Sequence, residues 1–426
     1  MSRILLVAVL GTLALAANAR SAQTIVSIQF DDGRGQAAVG PILARHHIPA
    51  TFFVNTGYIG TADYFTWAQL HALAAQGHEI AGHTLTHRDL AALSPAEQMR
   101  EICGDRTALI AHGFRPADFA YPFGSYTKAT ERMVQRCGYS YGRAAWGLWG
   151  SGCEEEPATC PYAVDPAYPG DPWAIPTADA PIDLTYVENQ RQVVRNAIAH
   201  GGGWVQFFFH RVCPDDCDEY SWTPASLDAL LTWLDQQRTA GALDVRTMRD
   251  VLHPAFHAQV EAPAPPAPPR GPNRLRNASL EHRAKGAAAP TCWEHQGAGT
   301  WSRVRGTHGR AEAVTIAGAP DAFAALATPQ DQGECSPAVH AGQRLVVRAA
   351  YRSLDGPRFV VWARSKAGGW SFWRQGPRLA GSRGFRRAAW ALPRVPRGVT
   401  ALSVGLSLAG DGRLAADDLA LVGAST

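Results

Sequence analysis

Three short clusters in this chain carry residue types that do chemistry. Asp31-Asp32-Gly33 closes a β-rich run from Ile25 to Phe30. Adjacent carboxylates at a strand end cannot both point the same way, so one can bind a cation while the other takes a proton. Read alone, Asp-Gly is also an ordinary turn dipeptide, because it favours positive φ. His83 and His87 stand four positions apart. At that spacing two imidazoles lie on one face of a helical turn and can share a metal. His210 ends the apolar run WVQFFF, Trp204 to Phe209, and alone reads equally well as a satisfied core histidine. Together the clusters say more. Two imidazoles and one carboxylate make an open zinc-type site, with the remaining position for water or substrate. The second carboxylate and His210 then flank it as proton-transfer groups, which are the parts of metal-assisted hydrolysis.

Such groups need elements to position them, and the first half of the chain supplies an alternation. Ile25 to Phe30 reads as a strand, Ala37 to His46 as a helix and Ala50 to Asn55 (ATFFVN) as a strand. Thr66 to Gln76 reads as a helix, with Gly77 in the left-handed position expected after its end. Glu79-Ile80-Ala81 is a short strand before His83. Ser94 and Glu97 form a capping box with Pro95 at the first helical position, starting a helix that runs towards His112. Phe119 to Tyr121 reads as a strand, Lys128 to Cys137 and Val187 to His200 as helices, Trp204 to Phe209 as a buried strand and Pro224 to Ala240 as a helix. Strands alternating with helices imply parallel pairing, in an α/β barrel or a doubly wound sheet. Functional residues then belong at the C-terminal ends of strands, where all three clusters fall.

The chain has 426 residues, 46% apolar and 18% charged, which predicts a globular protein of two or three domains. A net charge of +3 and no basic arm exclude nucleic acid as the expected partner. Met1-Ser2-Arg3, the apolar run Ile4 to Ala17 and Ala17-Asn18-Ala19 read as a secretory signal peptide over 1–19, cleaved at about 19–22. That run is too short for a good transmembrane span. The expectation is a secreted or periplasmic protein with no membrane span in the mature chain. Eight cysteines in an exported chain predict disulfides. Closeness in sequence favours Cys153–Cys160 and Cys213–Cys217, with Cys292–Cys335 and Cys103–Cys137 remaining. The Pro-rich stretch EAPAPPAPPRGP, Glu261 to Pro272, marks a linker over 257–272 between regions 23–256 and 273–426. In the second region, Leu345 to Tyr351, Phe359 to Arg364, Trp370 to Arg374, Ala401 to Leu408 and Asp418 to Val422 are short runs separated by Gly, Pro and Asp, the pattern of a β-sandwich. Its tryptophans, Trp293, Trp301, Trp362, Trp370, Trp373 and Trp390, read first as core and second as sugar-stacking surfaces.

The clusters, in this order, resemble the polysaccharide deacetylases of the NodB-homology type, carbohydrate esterase family 4. The resemblance covers about residues 24–252. The family's first motif, usually TFDDG, stands here as Gln29-Phe30-Asp31-Asp32-Gly33. Its His-x-x-x-His motif is His83–His87 within GHEIAGHTLTH, its Pro-aromatic-Gly motif is Pro122-Phe123-Gly124 within FAYPFG, and its late histidine matches His210. The resemblance implies a deformed (β/α) barrel. It implies that Asp32, His83 and His87 bind a divalent metal, usually zinc, with cobalt as a substitute. Asp31 would be the general base, His210 the general acid that protonates the leaving amine, and the Phe123 backbone N–H a donor to the oxyanion.

The chain departs from the family at two positions. Gln29 replaces the usual Thr, ahead of the chemistry. Ala120 stands where many members carry an Arg that orients the catalytic Asp, and the chain looks like the FAYPYG-like subgroup instead. Arg143, in CGYSYGRAAW, is expected to reach that Asp from the next strand, the alternative being a surface Arg. The family's Asp-with-Trp motif is not placed; Asp179 and Asp183 are candidates by location. In the second region, NRLRNASLE from Asn273, PTCW from Pro290 and ADDLAL from Ala416 resemble carbohydrate-binding jelly rolls. The implied function is a secreted metal-dependent hydrolase removing N-acetyl groups from an amino-sugar polysaccharide such as chitin, peptidoglycan or an exopolysaccharide. Two alternatives stand beside it: an O-acetyl esterase of the xylan type, and a non-catalytic glycan-binding protein on a degenerate scaffold. Retention of Asp31, Asp32, His83, His87 and His210 argues against the last.

Overall fold

The computed structural model describes residues 23–148, 160–178, 186–214, 221–264 and 271–424. The expected signal peptide, the pairings Cys153–Cys160 and Cys213–Cys217, and the candidates Asp179 and Asp183 rest on positions outside the described residues.

The first region alternates strand and helix: β1 (Thr24–Asp32), α1 (Val39–Arg45), β2 (Ala50–Val54), α2 (Trp67–Ala75), β3 (Glu79–Gly82), α3 (Pro95–Ala111), β4 (Asp118–Ala120), α4 (Lys128–Arg136), β5 (Tyr141–Gly147), β6 (Ile175–Thr177), α5 (Tyr186–Ala199), β7 (Gly203–Phe209), α6 (Pro224–Thr239), β8 (Leu243–Val245) and α7 (Met248–Leu252). The strands form one parallel sheet in the order β6-β5-β4-β3-β2-β1-β7. β8 pairs with the first residues of β1, Thr24 to Val26, while β2 pairs with its last, Ile28 to Asp32. β2 and β7 are buried along their whole length and β1 nearly so, as expected for parallel strands covered on both faces. The sheet curls into a partial barrel whose ends are tied by Ala178 N–H donating to Gln206 O at 2.9 Å and by Gln206 Nε2 donating to Pro176 O at 3.0 Å.

Local signals set the helix starts. Ser94 accepts from Glu97 N–H and the Glu97 carboxylate accepts from Ser94 N–H, so α3 begins with a complete capping box and Pro95 behind it. Thr66 and Gln69 do the same for α2. β6 and β8 are three residues each, too short to carry a period, and the sequence reading named neither. The inward face of α3 buries Glu101, Asp105 and Arg106, so this helix brings charge, not only apolar surface, to the sheet.

The second region is all-β: β9 (Glu294–Gly297), β10 (Thr300–Arg305), β11 (Arg310–Ile316), β12 (Phe323–Ala327), β13 (Leu345–Ser353), β14 (Arg358–Ser365), β15 (Trp370–Gln375), β16 (Ser382–Ala391), β17 (Val399–Ala409) and β18 (Gly412–Gly423). They form two antiparallel sheets, β10-β11-β18-β13-β16 and β15-β14-β17-β12-β9. The core between them holds Val314, Leu326, Val347, Phe359, Leu406 and Leu421. The chain is thus a curled parallel α/β sheet followed by a β-sandwich. Trp293 is buried, and Trp301, Trp373 and Trp390 pack partly against the core. The edge strand β16, SRGFRRAAWA, carries three arginines, a common device against edge pairing, and for that reason it does not read as a strand in sequence. Disulfides join Cys103 to Cys137 and Cys292 to Cys335.

Candidate metal centre

Parallel pairing puts every strand's C-terminal end on one edge of the sheet. Asp32 is in register with Val54, Val54 with Gly82, Gly82 with Phe119, and Ala120 with Arg143. Phe30 is in register with Phe209, the residue before His210. Asp31, Asp32, His83, Arg143 and His210 therefore gather at one edge although up to 179 positions separate them in sequence.

Asp32, His83 and His87 are brought together. Asp32 Oδ1 lies 3.5 Å from His83 Nε2 and 3.4 Å from His87 Nε2, and the three ligand atoms all lie within 4.8 Å of one another. Ligands at zinc-like bond lengths around a tetrahedral centre stand roughly 3.3–3.6 Å apart. Asp32 Oδ1 is buried and accepts no hydrogen bond of good geometry. An orphaned carboxylate oxygen facing two imidazole nitrogens is the donor set of a zinc-type site. His83 Nδ1 lies 2.8 Å from Ala120 O. A carbonyl only accepts, so Nδ1 carries the proton and the Nε2 lone pair faces Asp32. Burial pushes the His87 imidazole down to about 4, against the pull of Asp32, which leaves its ring neutral near pH 7. Burial also opposes the charge on Asp32, but His87 and His83 outweigh it and hold this carboxyl well below the usual range. For His83, burial is outweighed by Asp32 and Asp31, and its pKa lies above the ordinary value.

The expected helical turn between the two histidines is not formed. Residues 83–89 are a loop, with Thr84 at φ 70° and His87 at φ 57°. Two imidazoles four apart meet here because the loop folds back, not because a helix repeats. A loop without its own hydrogen-bond ladder must find partners elsewhere, and this one does. His83 N–H donates to Asp105 Oδ2 at 3.1 Å, and Asn55 Nδ2 donates to His83 O. Leu85 N–H donates to Glu101 O and Leu85 O accepts from Gly57 N–H. Thr86 N–H and Oγ1 both donate to the Glu101 carboxylate, and Thr86 O accepts from Tyr58 Oη. His87 N–H donates to Thr84 Oγ1. Asp105 is itself held by Thr56 and Tyr139 Oη, and burial pushes its carboxyl up to about 6. The sequence reading missed Asn55, Glu101 and Asp105, because nothing in their spacing distinguishes them from ordinary helix and strand-end residues.

Asp31 is buried next to the triad residue Asp32 and pairs with Arg143. Arg143 Nη2 lies 2.5 Å from both its carboxylate oxygens. The guanidinium is 1% exposed and sits between the Phe53 and Phe208 rings, 5.0 and 4.9 Å from their centroids. Arg143 is thus a core residue of the strand beside Ala120. Gln36 Nε2 donates to Asp31 O at 2.5 Å and to His210 O at 2.7 Å, tying the two strand ends together. The sequence reading missed Gln36 as well. His210 is half-buried with its ring edge-on to Phe208. Phe123 sits in a 3-10 turn, Pro122–Gly124, at φ 59°. Its ring is 62% exposed and 4.5 Å from the His87 ring, at the rim of the centre. A Cβ on Gly124 would come within 2.7 Å of Ala145 Cβ, so only glycine lets this turn close against β5.

Comparison with known proteins agrees with the first region alone. Residues 18–142 match the family model described as polysaccharide deacetylase. A putative polysaccharide deacetylase, YxkH, of Bacillus subtilis is 29% identical over 135 residues, 31% of this chain and 48% of that protein. A chitooligosaccharide deacetylase of Bradyrhizobium is 32% identical over 108 residues, 24% of this chain and 48% of that protein. The chain thus spans about half the length of these curated relatives. Among solved structures, a family 4 acetyl xylan esterase from Clostridium thermocellum, in complex with cobalt, is 19% identical with a TM-score of 0.36, covering 54% of this chain and 91% of that one.

Proposed function

We propose that this chain is a metal-dependent hydrolase that removes N-acetyl groups from an amino-sugar polysaccharide. One observation carries the reading: Asp32 Oδ1, His83 Nε2 and His87 Nε2 converge within 4.8 Å, while a second carboxylate, Asp31, is held apart by Arg143. Asp32, His83 and His87 would hold a divalent cation, zinc first and cobalt as a substitute. When bound, it supplies Lewis acidity towards the acetyl carbonyl and lowers the pKa of water towards neutrality. Asp31 takes the proton of the attacking water. Its pair with Arg143 fixes the carboxylate's direction. The Phe123 backbone N–H donates to the oxygen on which negative charge develops. His210, at the end of the neighbouring strand, protonates the departing nitrogen, because an amine leaves poorly as an anion.

A relative supports the substrate class: the similar Bradyrhizobium protein is a chitooligosaccharide deacetylase. No described helix is long and apolar enough to cross a membrane. The disulfides and the N-terminal sequence pattern support an exported enzyme. The sandwich's resemblance to carbohydrate-binding jelly rolls supports a glycan contact there as well. The test is acetate release from N-acetylglucosamine oligomers, peptidoglycan and acetylated xylan. Release from the amino sugars, abolished by a chelator and restored by zinc or cobalt, is expected. Release from xylan alone would make the enzyme an O-acetyl esterase. Glycan binding with neither metal nor acetate release would make it a binding protein.

A further inference from the structure

The residue after the second imidazole, Arg88, is buried at the seam between the two regions. Its Nε donates to Glu294 Oε1 at 2.5 Å, and its Nη2 lies 3.6 Å from Glu97 Oε1. Glu294 opens β9, 206 positions away in the sandwich. The same seam holds Arg100 on Glu334 at 2.7 Å and Gln332 Nε2 on Gly57 O at 2.8 Å. Gly57 in turn donates its N–H to Leu85 O, inside the histidine loop. Cys292 and Cys335, one or two residues from Glu294 and Glu334, are disulfide-bonded, so the two sandwich segments that meet the α/β region at this seam are stapled to each other.

We infer that the β-sandwich is a structural part of the metal centre, with Glu294 and Arg88 as positioning residues for His87. This rests on the reading of Asp32, His83 and His87 as ligands. The physical argument begins with strain. His87 holds a left-handed backbone conformation that an L side chain adopts only when its surroundings over-determine it. The α/β region determines the loop as far as the His87 N–H. Beyond it, Arg88 is the next anchor, and its charge is 7% exposed. A buried guanidinium that loses its closest carboxylate moves towards the remaining one or towards water, since buried charge needs close partners. Glu97 does not reproduce the Glu294 contact, because its Oε1 stands 3.6 Å from Nη2 and leaves Nε without an acceptor. Loss of Glu294 therefore frees the chain at the residue joined to His87. Partners that orient a metal-ligating side chain typically change metal affinity by about 10–100-fold when removed.

The test uses the full chain and zinc alone as probe. Zinc affinity is measured by competition with a chromophoric chelator for wild type, Glu294→Ala, Glu294→Gln and Leu406→Ala. Glu294→Ala is expected to bind zinc about 10–100-fold more weakly, Glu294→Gln less so. Acetate release by Glu294→Ala should return towards wild type with excess zinc, at unchanged KM. Leu406→Ala, in the sandwich core, should melt earlier but hold zinc as tightly as wild type, which separates positioning from general loss of stability. Should Glu294→Ala not fold, Glu294→Gln decides. Wild-type affinity in the Glu294 variants overturns the inference and leaves the metal centre standing. A wild-type chain that binds no zinc overturns both.

Discussion

Both halves of this molecule bury some charge, Glu312, Asp331 and Asp417 in the sandwich included, but they arrange it differently around their cores. The sandwich core is mostly aliphatic and aromatic, with Val347, Leu402, Val404, Leu406 and Leu421 fully buried between its sheets. The α/β half also has an apolar core, but at the C-terminal edge of its sheet it buries Asp31, His83, Asp105 and Arg143, and beside them Gln36, Asn55 and Glu101. Apolar burial stabilises a fold and leaves it chemically inert. Buried polar groups cost desolvation unless each finds a partner, and a network satisfied throughout fixes side chains in one geometry. The difference teaches where function is kept: in the half where the core is hardest to satisfy.

That contrast can be broken most directly at Asp31. Asn there removes the proton acceptor and also the charge that pairs Arg143, so stability should fall, and kcat of the folded enzyme should fall by about 10²–10⁴-fold while zinc content stays near one per chain. Equal loss of metal and turnover would make Asp31 a ligand. Arg143→Ala comes next. It leaves the Asp31 charge buried and unpaired, which costs about 3–5 kcal/mol of stability in comparable cases, and turnover should fall with it. Arg143→Lys should recover part of both. Unchanged turnover in Arg143→Ala would mean that Asp31 is oriented by other groups. In the sandwich, Leu406→Ala should cost about 2–5 kcal/mol in denaturant unfolding and leave kcat of the folded enzyme as it was.

The smallest effect concerns pH. Burial pushes His78 from its ordinary 6.5 down to about 4, and its Nδ1 accepts Ala50 N–H at 3.1 Å. Between these values the unfolded chain takes up a proton that the folded one refuses. Its contribution is therefore complete above pH 6.5 and lost as pH falls towards 4. Melting temperature measured across that window should fall more, or rise less, with acid in the wild type than in His78→Gln, the difference being the His78 contribution.

Much of the scaffold was legible because its causes are local. The Ser94–Glu97 capping box, Gly77 at φ 89° and the apolar runs of β1, β2 and β7 act within a few residues, so spacing alone reveals them. β6, β8, β9, β10, β11, β12 and β16 were not legible: β6 and β8 are three residues long, and β10 and β16 are polar edge strands held by a neighbour's ladder. In the site, the ligand types were legible and their geometry was not. Spacing placed His83 and His87 on a helical turn, whereas the chain builds a loop out of hydrogen bonds donated by Asn55 and Tyr58 and accepted by Glu101 and Asp105.

By itself, the order of residues determined which groups are present and on which strand ends they stand, since period, caps and turns are short-range. Only the tertiary structure decided what each group faces. Asp31 meets Arg143 across 112 positions and Arg88 meets Glu294 across 206. Contacts at such separations have no local signature. They exist because parallel pairing brings strand ends together and because buried charges, once there, must be partnered.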